Sequence, residues 1–195
     1  MLDTSIITSK NYNEFIEVLQ FRYSIFCEEM SSVKENDTYN LLRMEFDEFD
    51  KDAYFVVLKD HNKLAGSARI NVGTHLPFNT KSDIALYYPF SQLSNNIEVT
   101  KLIIKKESRN SKSIMYMLNT VLKFIGKQDY SYLFADVFQG SITHRMLKKI
   151  GFQQLDYQYI DEYFTIDTPS LILYISAAEL DRVTTQDDRI NKIVF

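Results

Sequence analysis

The chain has 195 residues, of which 45% are hydrophobic and 25% charged, with 13 Tyr, 14 Phe and a formal net charge of -4. This length can supply a sizeable core, and the negative charge argues against a general nucleic-acid binder. A single cysteine, Cys27, excludes an internal disulfide framework and favours a reducing compartment. We interpret Cys27 as a small buried apolar residue rather than a nucleophile.

The ends of the chain give no sign of export or membrane insertion. Met1–Lys10 lacks the basic start and apolar run of a signal peptide, and no stretch approaches 18 consecutive apolar residues. We therefore expect a cytoplasmic protein without a transmembrane segment. We predict a single domain over residues 1–178 and a loose, mostly polar C-terminal tail over 179–195.

The predicted elements alternate between helices and strands. A helix over Asn11–Glu29 precedes an acidic, irregular stretch over Asp37–Asp52 and two strands joined by a tight polar turn, Ala53–Lys59 and Leu64–Val72. After a long loop, Gly73–Asn96, we predict strand Ile97–Lys105, helix Ser108–Ile125, strand Tyr132–Val137, helix Ser141–Ile150, and strands Phe152–Ile160 and Ser170–Ile175. This order predicts an α/β three-layer sandwich, with a mixed, twisted sheet and helices on both faces.

Two arginines stand where apolar residues are expected. Arg22 lies about 20° from Phe15 on the helical wheel, inside the apolar stripe, and a buried guanidinium requires a carboxylate partner. The nearest carboxylates are in the acidic stretch, in an ExDxxD pattern of Glu45, Asp47 and Asp50. Arg69 points away from its apolar neighbours on its strand, and it joins the same network if that sheet face carries the acidic stretch. A structural ion pair and a substrate-orienting pocket are equally compatible with this pattern.

Glu98 is the unusual residue on the strand Ile97–Lys105. It shares a face with Thr100 and Leu102, whereas Lys101 is expected to face the opposite way. A carboxylate on a central strand is costly unless it is paired or functional. As a general base it would take a proton from an ammonium nucleophile, which must be neutral to attack a thioester. A solvated glutamate at an edge position fits the spacing equally well.

A cluster of cations follows at the junction between this strand and the next helix. This stretch contains a single acid, Glu107, and five cations: Lys101, Lys105, Lys106, Arg109 and Lys112. Backbone N–H groups at a helix start can hold an anion such as pyrophosphate, so the cluster favours an anionic partner over a merely solvated helix start. The three histidines lack metal-ligand spacing, and we expect no metal.

These residues resemble a known group. Leu102-x-Ile104-x-Lys106-x-x-Arg109 and the later Leu147-Lys-Lys-Ile-Gly151-Phe152 are similar to the core of GNAT acyltransferases, over about Ala53–Ile160. The order and spacing of four further motifs resemble those of acyl-homoserine-lactone synthases and N-acyl amino acid synthases: Arg22-x-x-x-Phe26, Glu45-x-Asp47-x-x-Asp50, Gly66-x-x-Arg69 and Glu98-x-x-Lys101.

The resemblance implies direct transfer of a fatty acyl group from an acyl carrier protein or CoA thioester to the amine of an amino acid or similar small molecule. Glu98 would be the base, and a backbone N–H of Ile103 or Ile104 would polarise the thioester carbonyl. The amine side would be shaped by Arg22, Phe26, Glu45, Asp47, Asp50, Arg69 and Lys101. The donor would meet Lys105, Lys106, Arg109 and Lys112. The acyl thioester is then a co-substrate, and no permanently bound cofactor is implied.

Departures from the usual motifs bear on the substrates. The pyrophosphate loop reads Arg109-Asn-Ser-Lys112-Ser-Ile114 without its two glycines, and Leu147 replaces the usual tyrosine acid. Both changes favour a carrier-protein donor over acetyl-CoA. Lys101 stands for the usual Arg, which leaves S-adenosylmethionine and a simpler amino acid as alternative amines. Two other functions remain open: an acetyl-CoA-dependent N-acetyltransferase of small molecules, and a non-catalytic acyl-binding GNAT-like domain.

Overall fold

Seven strands form one mixed sheet in the computed structural model, which describes residues 1–80 and 84–186. They are β1 Leu2–Thr8, β2 Tyr54–Asp60, β3 Lys63–Val72, β4 Ile97–Ile104, β5 Tyr132–Phe138, β6 Gln153–Tyr159 and β7 Ser170–Ser176. The spatial order is β1-β2-β3-β4-β5-β7-β6. The β4–β5 pair is parallel, whereas β1–β2, β2–β3, β5–β7 and β6–β7 are antiparallel. The predicted α/β class with a mixed sheet is confirmed.

Six α-helices accompany the strands in this described part of the chain: α1 Tyr12–Tyr23, α2 Asp37–Leu42, α3 Ile84–Tyr87, α4 Ser111–Ile125, α5 Ile142–Ile150 and α6 Ala177–Gln186. The helix predicted over Asn11–Glu29 is confirmed from Tyr12 onward, and its last part, Ser24–Glu29, is a π-helix rather than an α-helix. A π-helix has a wider turn than an α-helix, and here it buries both Ile25 and Phe26. Within residues 1–80 and 84–186, no helix has both the length and the apolar character needed to cross a bilayer.

Several segments that were predicted to be irregular contain helices. The stretch predicted as irregular contains α2, because the side chain of Asn36 accepts hydrogen bonds from the N–H groups of Thr38 and Tyr39. The predicted loose tail is helical over Ala177–Gln186, where Leu180 and Val183 are buried. The rest of that tail, and residues 81–83 of the predicted long loop, lie outside the described residues. The other described parts of that loop contain α3 and two 3-10 helices, Pro77–Thr80 and Pro89–Gln92.

The chain forms two compact units, each with its own core. The first unit comprises Met1–Ile70, Lys101–Phe124 and Glu162–Asp167, and the second comprises Asn71–Thr100, Ile125–Asp161 and the chain from Thr168 onward. The first unit has one buried cluster around Phe55 and another that contains Phe21, Ile25, Phe26, Val33 and Ile103. The core of the second unit contains Leu76, Phe78, Ile84, Phe134, Leu155 and Ile172. The domain boundaries expected from the sequence, 1–178 and 179–195, stay a prediction.

Strand β4 contains an irregularity at Lys101. The N–H of Gly73 donates to the carbonyl of Asn96 over 2.9 Å, and that of Lys105 donates to Ala65 over 2.8 Å. From one of these hydrogen bonds to the other, the chain advances from 65 to 73 on the β3 side and from 96 to 105 on the β4 side. The β4 side is therefore longer by one residue, and this extra residue makes a β-bulge. Lys101 lies inside this stretch at φ 49. The strict alternation expected along β4 therefore fails at Lys101.

Candidate active site

A buried network of alternating charges lies in the first unit and is called the charge network below. Arg22, near the end of α1, is fully buried and donates through Nε to Glu45 and through Nη1 to Asp50, the latter over 2.6 Å. Asp50 stays in place because its other oxygen accepts the backbone N–H of Asp47, in a capping box at the 3-10 helix Glu48–Asp50. The predicted pairing of Arg22 with the acidic stretch is confirmed.

Two further cations complete the charge network. Arg69 on β3 contacts Asp47 and, over 2.9 Å, Asp50. Lys101 on β4 contacts Glu45 and, over 2.9 Å, Asp47. Arg69 is expected to join the network if its face of the sheet carries the acidic stretch. Its contacts with Asp47 and Asp50 confirm that it does. Three cations and three carboxylates balance, so the charge network can stay buried without a bound counter-ion.

Asp47 is the carboxylate of the charge network that a ligand can reach. Its side chain is 28% exposed, compared with 3% for Asp50 and none for Glu45. It also borders a surface pocket of about 360 Å³, whose lining residues are Asn36, Thr38, Tyr39, Phe46, Asp47 and Glu48. An ammonium group entering this pocket would meet a negative charge.

Burial and pairing act together on the proton affinities of the charge network. Burial alone would raise the pKa of Glu45, but Arg22 and Lys101 lower it from 4.5 to about 2. Burial also opposes ionisation of Asp47, whose pKa is nevertheless lowered by Lys101 and Arg69. The pKa of Lys101 is lowered by burial and by Arg22, despite the two carboxylates beside it. Glu45 and Asp47 are therefore charged at neutral pH and act as fixed partners for the cations.

Tyr163 is a member of this site that sequence reasoning missed. Its phenol donates to Glu45, and its ring centroid lies 5.1 Å from Nζ of Lys101. Burial and then Glu45 raise the pKa of Tyr163, so the phenol remains protonated. Tyr163 belongs to the β6–β7 connection, which is bound to residues 31–34 by a bridge between Val33 and Phe164. No local pattern indicates a contact between residues 118 positions apart.

The residues proposed for the thioester carbonyl lie at the end of β4. Ile103 and Ile104 are both buried, and Ile103 packs in the cluster that contains Phe26. Because the N–H of Lys105 faces β3, alternation along the strand directs the N–H of Ile104 away from β3. The carbonyl of Ile104 accepts a 2.7 Å hydrogen bond from Nε of Arg109. The peptide of Ile104 is thus held from one side by Arg109.

The cations of the basic cluster have different surroundings. Arg109, expected to bind the donor, forms an ion pair with Glu29 and donates to the Ile104 carbonyl. Lys105 lies 3.8 Å from Glu107, and Lys105, Lys106 and Lys112 are exposed. At the start of α4 the side chain of Asn110 accepts the N–H of Ser113 over 2.9 Å. Contact of these cations with a donor stays a prediction.

Glu98 belongs to the second unit and is fully buried. Its Oε2 accepts a 3.0 Å hydrogen bond from the backbone N–H of Phe78, in the first turn of the 3-10 helix Pro77–Thr80. The ring of Phe78 stacks on that of Phe134 with centroids 4.3 Å apart. The solvated alternative for Glu98 is therefore wrong, because β4 is a central strand and the Phe78 helix covers this carboxylate.

Two more residues of the second unit were missed. The phenol of Tyr159 on β6 donates to Oδ2 of Asp136 on β5. The signal for Asp136 is a single acid inside the otherwise apolar strand sequence of β5, whereas nothing in the sequence marks Tyr159. Across the described ranges, no group of three or more His, Cys, Asp or Glu side chains is arranged to hold a metal ion.

Comparison with family profiles gives a match over about half of the chain. The sequence profile of the family described as Acetyltransferase (GNAT) domain matches residues 21–119. No curated protein sequence matches the chain. The match covers the whole charge network as well as Glu98.

Similar solved structures share the fold at low sequence identity. BjaI, a CoA-dependent acyl-homoserine lactone synthase with SAM and isopentyl-CoA, has a TM-score of 0.67 at 14% identity, over 99% of this chain and 90% of its own. The AHL synthase LasI has a TM-score of 0.69 at 17% identity, over 95% of both chains. FeeM, an N-acyl amino acid synthase from uncultured soil microbes, has a TM-score of 0.66 at 14% identity, over 96% of this chain and 97% of its own.

Proposed function

The chain belongs to the acetyltransferase (GNAT) domain family, and on that premise we propose that it transfers a fatty acyl group from a thioester to the amine of an amino acid or similar small molecule. The thioester is carried by an acyl carrier protein or by CoA. The observation that carries the proposal is the complete burial of Glu98 at the motif position on β4. A carboxylate taken out of water becomes a stronger base, which is what an ammonium nucleophile requires.

The reaction proceeds by direct transfer in this proposal. Glu98 accepts a proton from the ammonium group, directly or through water, and the neutral nitrogen attacks the thioester carbonyl. The N–H of Ile104 stabilises the oxyanion that forms, because backbone donors fixed in advance lower the cost of the developing charge. The carbon–sulfur bond then breaks, and the departing sulfur takes up the second proton that the nitrogen loses, so the products are the amide and a thiol, without an acyl-enzyme intermediate.

Recognition of the amine is assigned to the charge network. Asp47 offers a negative charge at a pocket mouth, and Arg22, Arg69 and Lys101 hold the three carboxylates in place. Phe26 contributes apolar surface, since it packs against Phe164 with ring centroids 6.2 Å apart. The SAM present in the BjaI structure and the N-acyl amino acid synthase activity of FeeM suggest S-adenosylmethionine and an amino acid as the two candidate amines.

A carrier protein is the favoured donor. Arg109 is engaged by Glu29 and Ile104, and the N–H of Ser113 is engaged by Asn110. Two groups that would grip the pyrophosphate of CoA therefore already have partners, whereas a carrier-bound phosphopantetheine has a single phosphate. Lys105, Lys106 and Lys112 remain exposed for an acidic partner surface. We place the reaction in the cytoplasm, where a lone thiol such as Cys27 stays reduced.

Purified protein tests the proposal with matched donors. Acyl-CoA and acyl-carrier-protein of the same chain lengths are incubated with the proteinogenic amino acids or S-adenosylmethionine, and N-acyl products are measured by mass spectrometry. Loss of product in Glu98→Gln, with retention in the exposed control Glu107→Gln, is the expected result. Equal product in Glu98→Gln would refute the role of Glu98.

The same assay distinguishes the acetyl-CoA alternative, which the description of the matching family favours. Product from acetyl-CoA alone, together with a rise in melting temperature on addition of CoA, would establish that function instead. A folded protein that binds acyl donors without turnover would establish the binding-only alternative.

A further inference from the structure

One face of the sheet in the second unit carries two carboxylates on neighbouring strands. Glu98 on β4 pairs in register with Phe134 on β5, and Asp136 follows Phe134 by two residues. Residues two apart on a strand share a face, and so do laterally paired residues, so Glu98 and Asp136 point to the same side. From standard strand spacings, their Cα atoms are about 8 Å apart.

Tyr159 holds Asp136 at this position. Its phenol donates to Asp136, and its ring packs on the core that contains Phe78 and Phe134. Burial and then Asp136 raise the pKa of Tyr159, and Asp161 and Glu98 act in the same direction. Tyr159 therefore stays protonated at any working pH and cannot supply the proton that a thiolate leaving group takes up. It acts as a permanent donor, and such a donor favours the charged form of Asp136.

We propose that Asp136, held by Tyr159, is a positioning residue that sets the strength of Glu98 as a base. The inference rests on the proposed function, in which Glu98 accepts the amine proton. An ordinary glutamate, with a pKa of about 4.3, is a weak acceptor for that proton. Asp136 is half-buried, and a fixed negative charge on the sheet face that carries Glu98 increases the proton affinity of Glu98.

The proton balance of the reaction is unchanged by this pair. The nitrogen–carbon bond forms as the carbon–sulfur bond breaks, and the electron pair of that bond leaves with the sulfur. One proton of the ammonium group goes to Glu98, and the second goes to the sulfur, which leaves as a thiol. Asp136 and Tyr159 keep their own protonation states throughout. Their contribution is electrostatic, and they contact neither substrate.

Other polar groups lie near Glu98 and Asp136. The N–H of Phe78 favours ionised Glu98 and so opposes Asp136. Asp161 adds a second negative charge, and Tyr157 contributes a neutral ring 5.8 Å from that of Tyr159. Lys101, the next ionisable residue along β4, is bound by Glu45 and Asp47. Among these groups, Asp136 is the best one to test, because Asp136→Asn removes its charge with little change in the shape of the side chain.

Asp136→Asn is the decisive variant, since its amide oxygen can still accept from Tyr159. The first readout is a carbon-13 NMR titration of labelled glutamate carboxyl groups, with the Glu98 signal identified by its loss in Glu98→Gln. The midpoint of Glu98 is expected to fall by about 1 pH unit. The second readout is the pH profile of kcat/KM for N-acyl transfer. Its acid limb should move down by the same amount, and its plateau should fall about threefold.

The control is Asp156→Asn, which removes the same charge from an exposed position on the same strand as Tyr159. It should leave the Glu98 midpoint in place, whereas Tyr159→Phe should lower the midpoint by less than Asp136→Asn does. An unchanged Glu98 midpoint in Asp136→Asn would overturn the inference, as would a shifted midpoint with an unchanged pH profile.

Folding and function are separated by two further measurements. If Asp136→Asn melts below the assay temperature, Asp136→Glu replaces it: a retained midpoint supports the inference, and a fall of about 1 pH unit contradicts it. If the wild-type protein makes no N-acyl product, the proposed function fails, while the titration still decides whether Asp136 controls Glu98.

Discussion

Glu45→Gln should destabilise the fold by an amount that depends on pH. Glu45 is fully buried, contacts Arg22 and Lys101, and accepts from Tyr163. Its pKa of about 2, compared with an ordinary 4.5, corresponds to ~3 kcal/mol of stabilisation at neutral pH. Removal of one partner from a buried ion pair typically costs about 3–5 kcal/mol, so the two values agree.

The sign of the pH dependence follows from the lowered pKa. A carboxyl group with a depressed pKa in the folded protein contributes its full stabilisation above pH ~4.5, and the contribution is lost as the pH falls through about 2. The gap in unfolding free energy between wild type and Glu45→Gln should therefore be largest near pH 7 and should narrow in acid.

Urea unfolding at pH 7 and at steps down to pH 3 measures this gap. Glu48→Gln is the matched control, because Glu48 lies in the same segment and is exposed; its change should stay within ~0.5 kcal/mol. A loss below ~1 kcal/mol for Glu45→Gln at pH 7, or a gap that does not narrow in acid, would refute the argument that these contacts lower the pKa of Glu45.

Three further outcomes are expected. Lys101→Arg should keep both ion pairs and lose less than ~1 kcal/mol in urea unfolding, whereas Lys101→Met should lose ~3 kcal/mol because Glu45 and Asp47 lose a cation. Gly66→Ala should cost ~1–2 kcal/mol in thermal unfolding, since its new Cβ would lie 3.1 Å from the Ile103 carbonyl, and it should reduce kcat by moving β4. Tyr163→Phe should cost ~2 kcal/mol in urea unfolding through its lost hydrogen bond to Glu45, and an unchanged stability would contradict that role.

Much of the charge network could be predicted from the sequence. Arg22 within an apolar stripe demands a buried acid, and Glu45, Asp47 and Asp50 are the acids that follow it along the chain. Arg22 is thus a charge in a place where an unpaired charge is too costly, so its partner can be inferred before its position is known. Arg69 points away from the apolar side of its strand and would be a solvated arginine on its own, so its place in the charge network depends on which sheet face carries the acidic stretch.

The contacts that could not be predicted from the sequence join distant parts of the chain. Arg109 belongs to the basic cluster that the sequence predicts to meet the donor, but its ion pair with Glu29, 80 positions away, has no signal in the sequence. Tyr163 and Tyr159 each donate to an acid on another element, which no periodicity marks. The bulge at Lys101 arises because β3 and β4 differ by one residue between their hydrogen bonds, and only the paired backbone reveals that difference.

The central claim is that Glu98 accepts the proton of an amine that is then acylated. Mass spectrometry of organic extracts, from cells expressing the wild-type protein, Glu98→Gln or the control Glu107→Gln, tests it most directly. New N-acyl amines should appear with the wild type and with Glu107→Gln, and they should be absent with Glu98→Gln at equal levels of folded protein. The same N-acyl amines in equal amount from Glu98→Gln would contradict the account.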